Sequence, residues 1–401
     1  MSDHRREESY GAPVLNLERL QVVSPLGRGA KGVVFLIRDK KAGPTAEEWA
    51  LKVILSDLVE KRAHGDALGE YRRVCFERQV LSRFNHPLLP RLRGVLSTDK
   101  LVGYAIDYCS GRDLNYLRKS QSEKMFSLEF IRFYAAELVM ALEYLHRQGI
   151  VYRDLKPDNV MIQSSGHIML IDFDLSTRLP VKSRRPPGPA PSPNPGRQLR
   201  RRSLFRCFMT AGVVSPDDVV IDTAGKSNSF VGTEEYVAPE IIQGQWHDFA
   251  VDWWSLGIVL YEMLYGVTPF KGSSRKETFY RILTKEPDLA GEATPLRDLI
   301  GKLLTKDAKV RIELDRIKRH EYFRGVDWGS VLHVARPPYI PPVSNKCRGK
   351  NNNKIADLEG FVQGLFGFKK EEKKMDENKP KVFWVDGLSS QSPEAENFRV
   401  F

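Results

Sequence analysis

At 401 residues the chain can build two sub-domains around substantial cores, and 41 % hydrophobic with 28 % charged residues is ordinary for a globular protein. The N-terminal M-S-D-H-R-R-E-E-S-Y has no apolar stretch and no run of about eighteen uncharged apolar residues follows, so neither secretion nor membrane spanning is expected. Cys75, Cys109, Cys207 and Cys347 stand apart, without metal-site spacing, and read as reduced thiols of an intracellular protein. The net charge of +11 is uneven: residues 178–206 hold nine Lys/Arg and no Asp/Glu. A basic segment without stacking aromatics until Phe205 and Phe208 disfavours a nucleic-acid partner.

Residues 1–16 are polar and read as a flexible N-terminus. Leu17 to Leu26 reads as a strand running into L-G-R-G-A-K-G-V-V-F, in which Gly27, Gly29 and Gly32 are spaced G-x-G-x-x-G. Because Val33, Val34 and Phe35 follow, the glycines join two strands. That arrangement suits phosphates cradled by backbone, and differs from the strand-to-helix turn of a dinucleotide site. In the strand W-A-L-K-V-I, alternation places Ala50, Lys52 and Ile54 on one face and Trp49, Leu51 and Val53 on the other. An inward Lys52 needs a counter-charge. Glu77, on a helical stripe with Val74 and Leu81, is the expected partner, with Glu70 as the alternative.

Strands around Val95 and Tyr104 lead to A-I-D-Y-C-S-G-R-D-L, and a helix from Leu128 to Arg147 shows a clear 3.6-residue period. Then comes V-Y-R-D-L-K-P-D-N-V-M-I-Q-S-S-G-H-I-M-L-I-D-F-D, residues 151–174, on which the chain is organised. R-D-x-K-x-x-N followed across a strand-like run by D-F brings Asp154, Lys156, Asn159 and Asp172 into one cleft, the parts a phosphoryl-transfer site needs. A Pro-, Gly- and Arg-rich stretch follows, whose composition cannot bury apolar surface. Order resumes at S-N-S-F-V-G-T-E-E-Y-V-A-P-E, where Thr233 is placed to face the catalytic Asp and Glu240 to pair with Arg311. A helix from Ala250 to Gly266 is apolar almost all round, with Asp252 as its polar anchor. Amphipathic segments near Phe279, Leu299 and Ile317 complete a helical lobe. R-P-P-Y-I-P-P-V reads as an extended strap, and residues 346–381 as mobile, although F-V-Q-G-L-F-G-F within them could pack.

Over roughly residues 17–323 these pieces resemble the eukaryotic protein kinases. S-F-V-G-T, V-D-W-W-S-L-G, the strap and the terminal F-x-x-F look like the AGC group. D-F-D in place of D-F-G, together with the long insertion, is similar to the plant AGC VIII serine/threonine kinases, which include PINOID, UNICORN and the phototropin kinase domains. The short N-terminus and compact tail sit nearest UNICORN. The resemblance implies an α+β bilobal fold, with a small β-rich N-lobe (17–106) carrying one main helix and a larger helical C-lobe (110–323). A basic activation-segment insertion spans about 178–226, and an AGC-type tail occupies 324–401. It further implies transfer of the ATP γ-phosphoryl group, with Mg2+, to Ser/Thr of protein substrates in growth and development signalling.

Position by position, Leu26, Gly27, Arg28, Gly29, Ala30, Lys31, Gly32, Val33 and Val34 would cover the ATP phosphates. Lys52, paired with Glu77, would hold them, and Asp107 and Cys109 would meet the adenine edge. Asp154 would orient the substrate hydroxyl, Lys156 stabilise the transferring group, and Asn159 with Asp172 bind magnesium. Arg153 would receive phosphorylated Ser229. Asp113, Asp158 and Glu262 match acidic positions that read Arg before the acceptor. Phe398 and Phe401 would dock on an N-lobe groove, of this chain or of an upstream 3-phosphoinositide-dependent kinase. The basic insertion would serve nuclear import or anionic-lipid contact, leaving cytoplasm, nucleus or plasma-membrane surface open. The main departure is Asp174, which puts the swing of Phe173 in question. A pseudokinase-like ATP-binding scaffold acting through the insertion is the competing reading.

Overall fold

The structure, a computed structural model, describes residues 12–29, 32–41, 47–56, 68–179, 232–334, 337–342, 358–371 and 399–400. The N-terminal part is built on strands β1 (Leu20–Arg28), β2 (Gly32–Asp39), β3 (Glu48–Leu55), β4 (Leu92–Ser97) and β5 (Leu101–Asp107), with helix α1 (Leu68–Leu81) between β3 and β4. A late strand, β10 (Arg399–Val400), joins the sheet, whose order is β10-β1-β2-β3-β5-β4. β10 runs parallel to β1, and the other pairings are antiparallel. The register of β1 on β2 shifts on both sides of Pro25. A residue without an N–H cannot complete the ladder, and the strand bulges around it.

Period-2 alternation sorts the sheet's two faces. Leu20, Val22, Val33, Phe35, Ile37, Leu51 and Val53 form an outer core, capped by Leu358 and Val362 of a tail helix, Leu358–Glu371. On the inner face Ile54 and Val102 pack against Val74 of α1. Phe361, Val362 and Leu365 of the F-V-Q-G-L-F-G-F segment therefore pack on the outside of the sheet. Residues 12–16 depart from the expectation of a flexible N-terminus. Leu15 N donates to Val95 O (2.7 Å) and Val95 N to Pro13 O (2.9 Å), so this stretch lies along β4 and satisfies backbone groups that an edge strand would leave open.

The C-terminal part is assembled from α2 (Leu114–Lys119), α3 (Leu128–Arg147), α4 (Pro239–Ile242), α5 (Ala250–Tyr265), α6 (Arg275–Thr284), α7 (Pro295–Leu303) and α8 (Leu314–Lys318). The tail helix is α9. Ser127 caps α3 by accepting from Phe130 N, and the buried stripe through Ile131, Tyr134, Leu138, Leu142 and Leu145 follows the sequence period. α5 is buried on nearly every side, and Asp252 in its first turn is 0 % exposed. Short pairs β6 (Ile150–Val151) with β9 (Thr177–Arg178), and β7 (Val160–Ile162) with β8 (Ile168–Leu170), carry the loops between the two halves. Residues 337–342 cross this region as the expected strap. A Cβ on Gly111 would lie 2.5 Å from Pro341 Cγ, and Gly166, at φ +90°, leaves no room for one under Pro337 and Tyr339. Among the described residues no helix is long and apolar enough to cross a membrane.

Candidate active site

The loop after β6 is fixed from below. Asp252 accepts hydrogen bonds from Tyr152 N (2.9 Å), Arg153 N (2.8 Å) and the ring of His146 (2.8 Å). This holds Arg153 at φ +68°, a left-handed conformation that a residue other than glycine rarely adopts unaided. The loop then presents Asp154, whose Oδ2 accepts from Lys156 Nζ and Asn159 Nδ2, each at 2.9 Å. Its Oδ1 accepts from Thr233 Oγ1 (3.0 Å) and Thr233 N (3.2 Å), and Lys156 Nζ also donates to Thr233 Oγ1 at 3.0 Å. The expected catalytic set, Asp154, Lys156 and Asn159, is one hydrogen-bonded unit, and Thr233 faces the Asp.

Above it, Lys52 Nζ lies 3.1 Å from Glu77 Oε2 and 3.6 Å from Asp172 Oδ1. Glu77 Oε1 also accepts from Phe173 N at 3.2 Å, so one carboxylate ties the sheet lysine, α1 and the D-F-D backbone together. Burial disfavours the Lys52 ammonium, but Glu77, Tyr104, Asp172 and Asp174 outweigh it and hold its pKa well above the ordinary lysine value. Burial pushes the Glu77 carboxyl up against the pull of Lys52. Phe173 is fully buried, 4.8 Å from Phe84 and 5.3 Å from Tyr152 between ring centroids. Among described residues the left-handed φ in this motif falls on Asp172 (+60°), not on Asp174. Asp174 therefore needs no special backbone, and its N–H leans on Asp172 Oδ1 at 3.4 Å.

Asn159 is 2 % exposed, and its amide nitrogen is committed to the Asp154 carboxylate and carbonyl. That leaves its oxygen, with the Asp172 carboxylate, as a hard-oxygen donor pair. Two such ligands suit a magnesium ion that takes the rest of its shell from phosphates and water.

The remaining expected positions are placed as follows. Leu26, Gly27 and Arg28 end β1 and Gly29 follows it, while Gly32, Val33 and Val34 open β2, with Gly29 N bonded to Gly32 O; Ala30 and Lys31 lie outside the described residues. Val34 is paired with Lys52 and shares its face, whereas the Val33 side chain belongs to the opposite, outer core. The Arg28 guanidinium donates to Leu365 O of α9 at 2.8 Å. Side chains 28 and 33 are thus turned away from Lys52, and only their backbone is left to line a phosphate. The Asp107 carboxylate accepts from Arg91 N and is paired with Arg93. Cys109 is buried with Sγ 3.6 Å from Met169 Sδ, and burial raises its thiol pKa far beyond reactive range.

Of the three acids expected to read Arg, Asp113 is 2 % exposed and caps α2 through Tyr116 N, and Glu262 is already paired with Arg118 at 2.8 Å. Asp158 is exposed and accepts from Asn115 Nδ2. Sequence reasoning missed Arg118, which only the packing of α2 against α5 reveals. It also missed Tyr104 as part of the lysine's surroundings. Tyr104 is the cross-strand partner of Lys52, so a correct β3–β5 register would have found it. Arg153 Nε donates to Leu175 O, with Nη1 3.4 Å from His247, whose pKa burial and the Arg153 charge lower. Ser229, Phe398 and Phe401 lie outside the described residues.

A two-part body of this design, with a lysine–glutamate pair over an Asp-Lys-Asn loop, defines a protein kinase. The protein kinase domain family matches residues 20–189 and 218–323, and the unmatched stretch between them falls within the expected insertion of about 178–226. The chain is 55 % identical to serine/threonine-protein kinase OXI1 of Arabidopsis thaliana, over 96 % of this chain and 97 % of that one. It is 42 % identical to the Arabidopsis serine/threonine-protein kinase UCN over 86 % and 89 % of the two chains. Phototropin-1A of rice is 39 % identical over 83 % of this chain and 34 % of its own length. The chain belongs to the protein kinase family and, within it, to the plant AGC VIII serine/threonine kinases. Identity to OXI1 is higher than identity to UCN.

Proposed function

We propose that this serine/threonine kinase transfers the γ-phosphoryl group of ATP through Asp154, Lys156, Asn159, Lys52 and Asp172, on substrates with Arg ahead of the acceptor. The observation that carries the reading is the single network joining Asp154 to Lys156, Asn159 and Thr233. Asp154 takes the hydrogen bond of the incoming Ser or Thr hydroxyl and aims its oxygen at the γ-phosphorus. As that bond forms, the bond to the β–γ bridging oxygen breaks and the hydroxyl proton passes to the carboxylate. Lys156 balances charge on the moving group, and Lys52, held by Glu77, grips the phosphates that stay behind. Magnesium bound between Asn159 and Asp172 would neutralise charge on the phosphate oxygens.

For the Arg preference, exposed Asp158 is the available carboxylate of the three acids, with Asp113 and Glu262 behind it. Phosphorylation of Ser229 would order the activation segment on Arg153 through charge-assisted bonds. Protein substrates, docking of Phe398 and Phe401 on an upstream 3-phosphoinositide-dependent kinase, and contact of the basic insertion with anionic lipid belong to the same reading. So does a place in cytoplasm, nucleus or at the plasma membrane. The scaffold alternative would leave buried Glu77, with half-buried Lys52 and Asp172 beside it, as an ionic cluster without a nucleotide to serve. The test is magnesium-dependent turnover of ATP on an Arg-x-x-Ser peptide. Asp154→Asn should lower kcat by about 10²- to 10⁴-fold with the melting temperature nearly kept. Equal turnover in both proteins would overturn the assignment.

A further inference from the structure

Between α7 and α8 lies a cavity of about 340 Å3, and none of the residues assigned above to the nucleotide or to catalysis lines it. The charges around it do not cancel. On α7, Asp298 and Lys302 are one turn apart, and Lys302 Nζ donates to Asp298 Oδ2 at 2.6 Å. The His320 side chain, 6 % exposed, backs the wall and uses the same oxygen. Its Nδ1 accepts from Tyr322 N at 3.2 Å, so the ring proton sits on Nε2, which donates to Asp298 Oδ2 at 2.9 Å. Lys302 first, and then His320, hold the Asp298 carboxyl below its ordinary value. The second carboxylate of the wall, Glu321, pairs with Arg324 at 3.0 Å. Two arginines are left over. Arg316 lies on α8 and Arg319 follows that helix directly, three positions on, so both reach the cavity from one side. Arg319 Nε donates to the Asp315 carbonyl at 3.0 Å, and among the described residues neither guanidinium has a carboxylate within ion-pair distance.

We infer that this cavity binds a small phosphorylated polyol, with the phosphate between Arg316 and Arg319 and the hydroxyl groups toward Asp298 and Glu321. A planar guanidinium presents paired N–H donors that match phosphate oxygens, and two of them supply the charge that a dianion needs. An ionised carboxylate is acceptor-only and has lone pairs to spare, so Asp298 and Glu321 can take hydroxyl donors while keeping their present partners. Ile312 is the one apolar side chain of the wall, and no aromatic ring lines it, so a nucleobase finds nothing to stack on. The volume is at the small end of ligand pockets, which suits a sugar phosphate and is tight for a phosphorylated peptide.

The site does not depend on phosphoryl transfer, so binding alone tests it. Titration calorimetry of the full chain with glucose 6-phosphate at low salt should give a Kd of about 0.1–1 mM, as suits a water-facing site with two charge-assisted contacts. Inorganic phosphate should bind about three- to ten-fold more weakly, and glucose not at all. Arg316→Ala and Arg319→Ala should each weaken glucose 6-phosphate about three- to ten-fold, on the low side for a charge-assisted bond because both side chains are exposed. Without ligand their melting temperatures should stay near that of the wild type. Arg316→Lys should recover only part of the loss, since an ammonium lacks the planar fork. Lys52→Met should bind glucose 6-phosphate as the wild type does, which separates the cavity from the nucleotide site. Absence of binding by the wild type, unchanged affinity in both arginine-to-alanine variants, or a loss confined to Lys52→Met would each overturn the inference. Glucose binding as tightly as its phosphate would do the same.

Discussion

Asp252 touches no substrate, yet the shape of the catalytic loop depends on it. Its carboxylate is 0 % exposed and accepts two backbone N–H groups and the His146 ring. In Asp252→Ala both N–H groups lose their partner inside the protein, at about 1–3 kcal/mol each, and with the His146 bond the total comes to about 3–6 kcal/mol. Against a typical stability of about 5–15 kcal/mol that variant sits near the limit of folding. Asp252→Asn is the informative substitution. It keeps one acceptor oxygen, so about half of the loss is expected, roughly 1.5–3 kcal/mol. The second N–H then meets an amide donor, and the loop is free to relax the left-handed Arg153, a conformation that costs about 1–3 kcal/mol to hold. Relaxation displaces the neighbouring Asp154, and a misplacement of about 1 Å can cost about 10²-fold in rate. The assay pairs urea unfolding at 25 °C with steady-state kinetics. The expected result is a lowered midpoint, kcat down by about ten- to a hundred-fold, and KM for ATP nearly unchanged, because the Lys52–Glu77 pair is anchored separately. An Asn variant with wild-type kcat would refute the reasoning and place the origin of the loop's shape within the loop.

Two further outcomes can be checked. The hydrogen bond to buried Glu137 raises the His167 pKa above its ordinary value of 6.5 against the effect of burial, and Nε2 donates to Val334 O at 3.2 Å. A raised folded-state pKa adds stability in full below pH 6.5 that is lost as pH rises through the folded value. Burial raises Glu137 too, which acts in the same direction. Wild type should therefore lose more melting temperature than His167→Gln between pH 6 and pH 8.5, and parallel curves would contradict the pairing. Asp158→Asn should weaken the preference for Arg at one subsite by no more than about five-fold in peptide KM, as suits a pair at an exposed carboxylate worth about 0.2–1 kcal/mol. A loss restricted to kcat would show that Asp158 does not bind the peptide.

Much of the fold was legible because its elements are locally consistent. The 3.6-residue stripe of α3 and the alternation of β3 survive folding unchanged, and Leu128–Arg147 begins and ends where the Ser127 cap and the polar end of the stripe place it. The site was legible because Asp154, Lys156 and Asn159 sit within one turn of chain, where spacing alone constrains geometry. What was missed depends on contacts between distant segments. The left-handed φ of Asp172 falls between Ile171, whose N–H donates to Asn159 O, and Phe173, whose N–H donates to Glu77, and the Arg118–Glu262 pair joins two helices far apart in sequence. The pairing of residues 12–16 with β4 involves backbone groups that carry no side-chain signal. The outward turn of Arg28 needed the β1–β2 register, which the bulges around Pro25 shift by amounts that no periodicity announces.

The strap crossing Gly111 and Gly166 makes two distant stretches of chain dependent on each other. One glycine follows the segment expected to meet adenine and the other tops the β7–β8 hairpin. Both are bare where Pro337, Tyr339 and Pro341 pass. A side chain could enter either position only in a relative whose tail takes another path. Changes in tail length ahead of Pro337 would then be felt at the nucleotide pocket, as altered sensitivity to adenine-mimicking inhibitors, before they were felt in stability. The two glycines and the proline-rich run form one packing unit, drawn from three places along the chain.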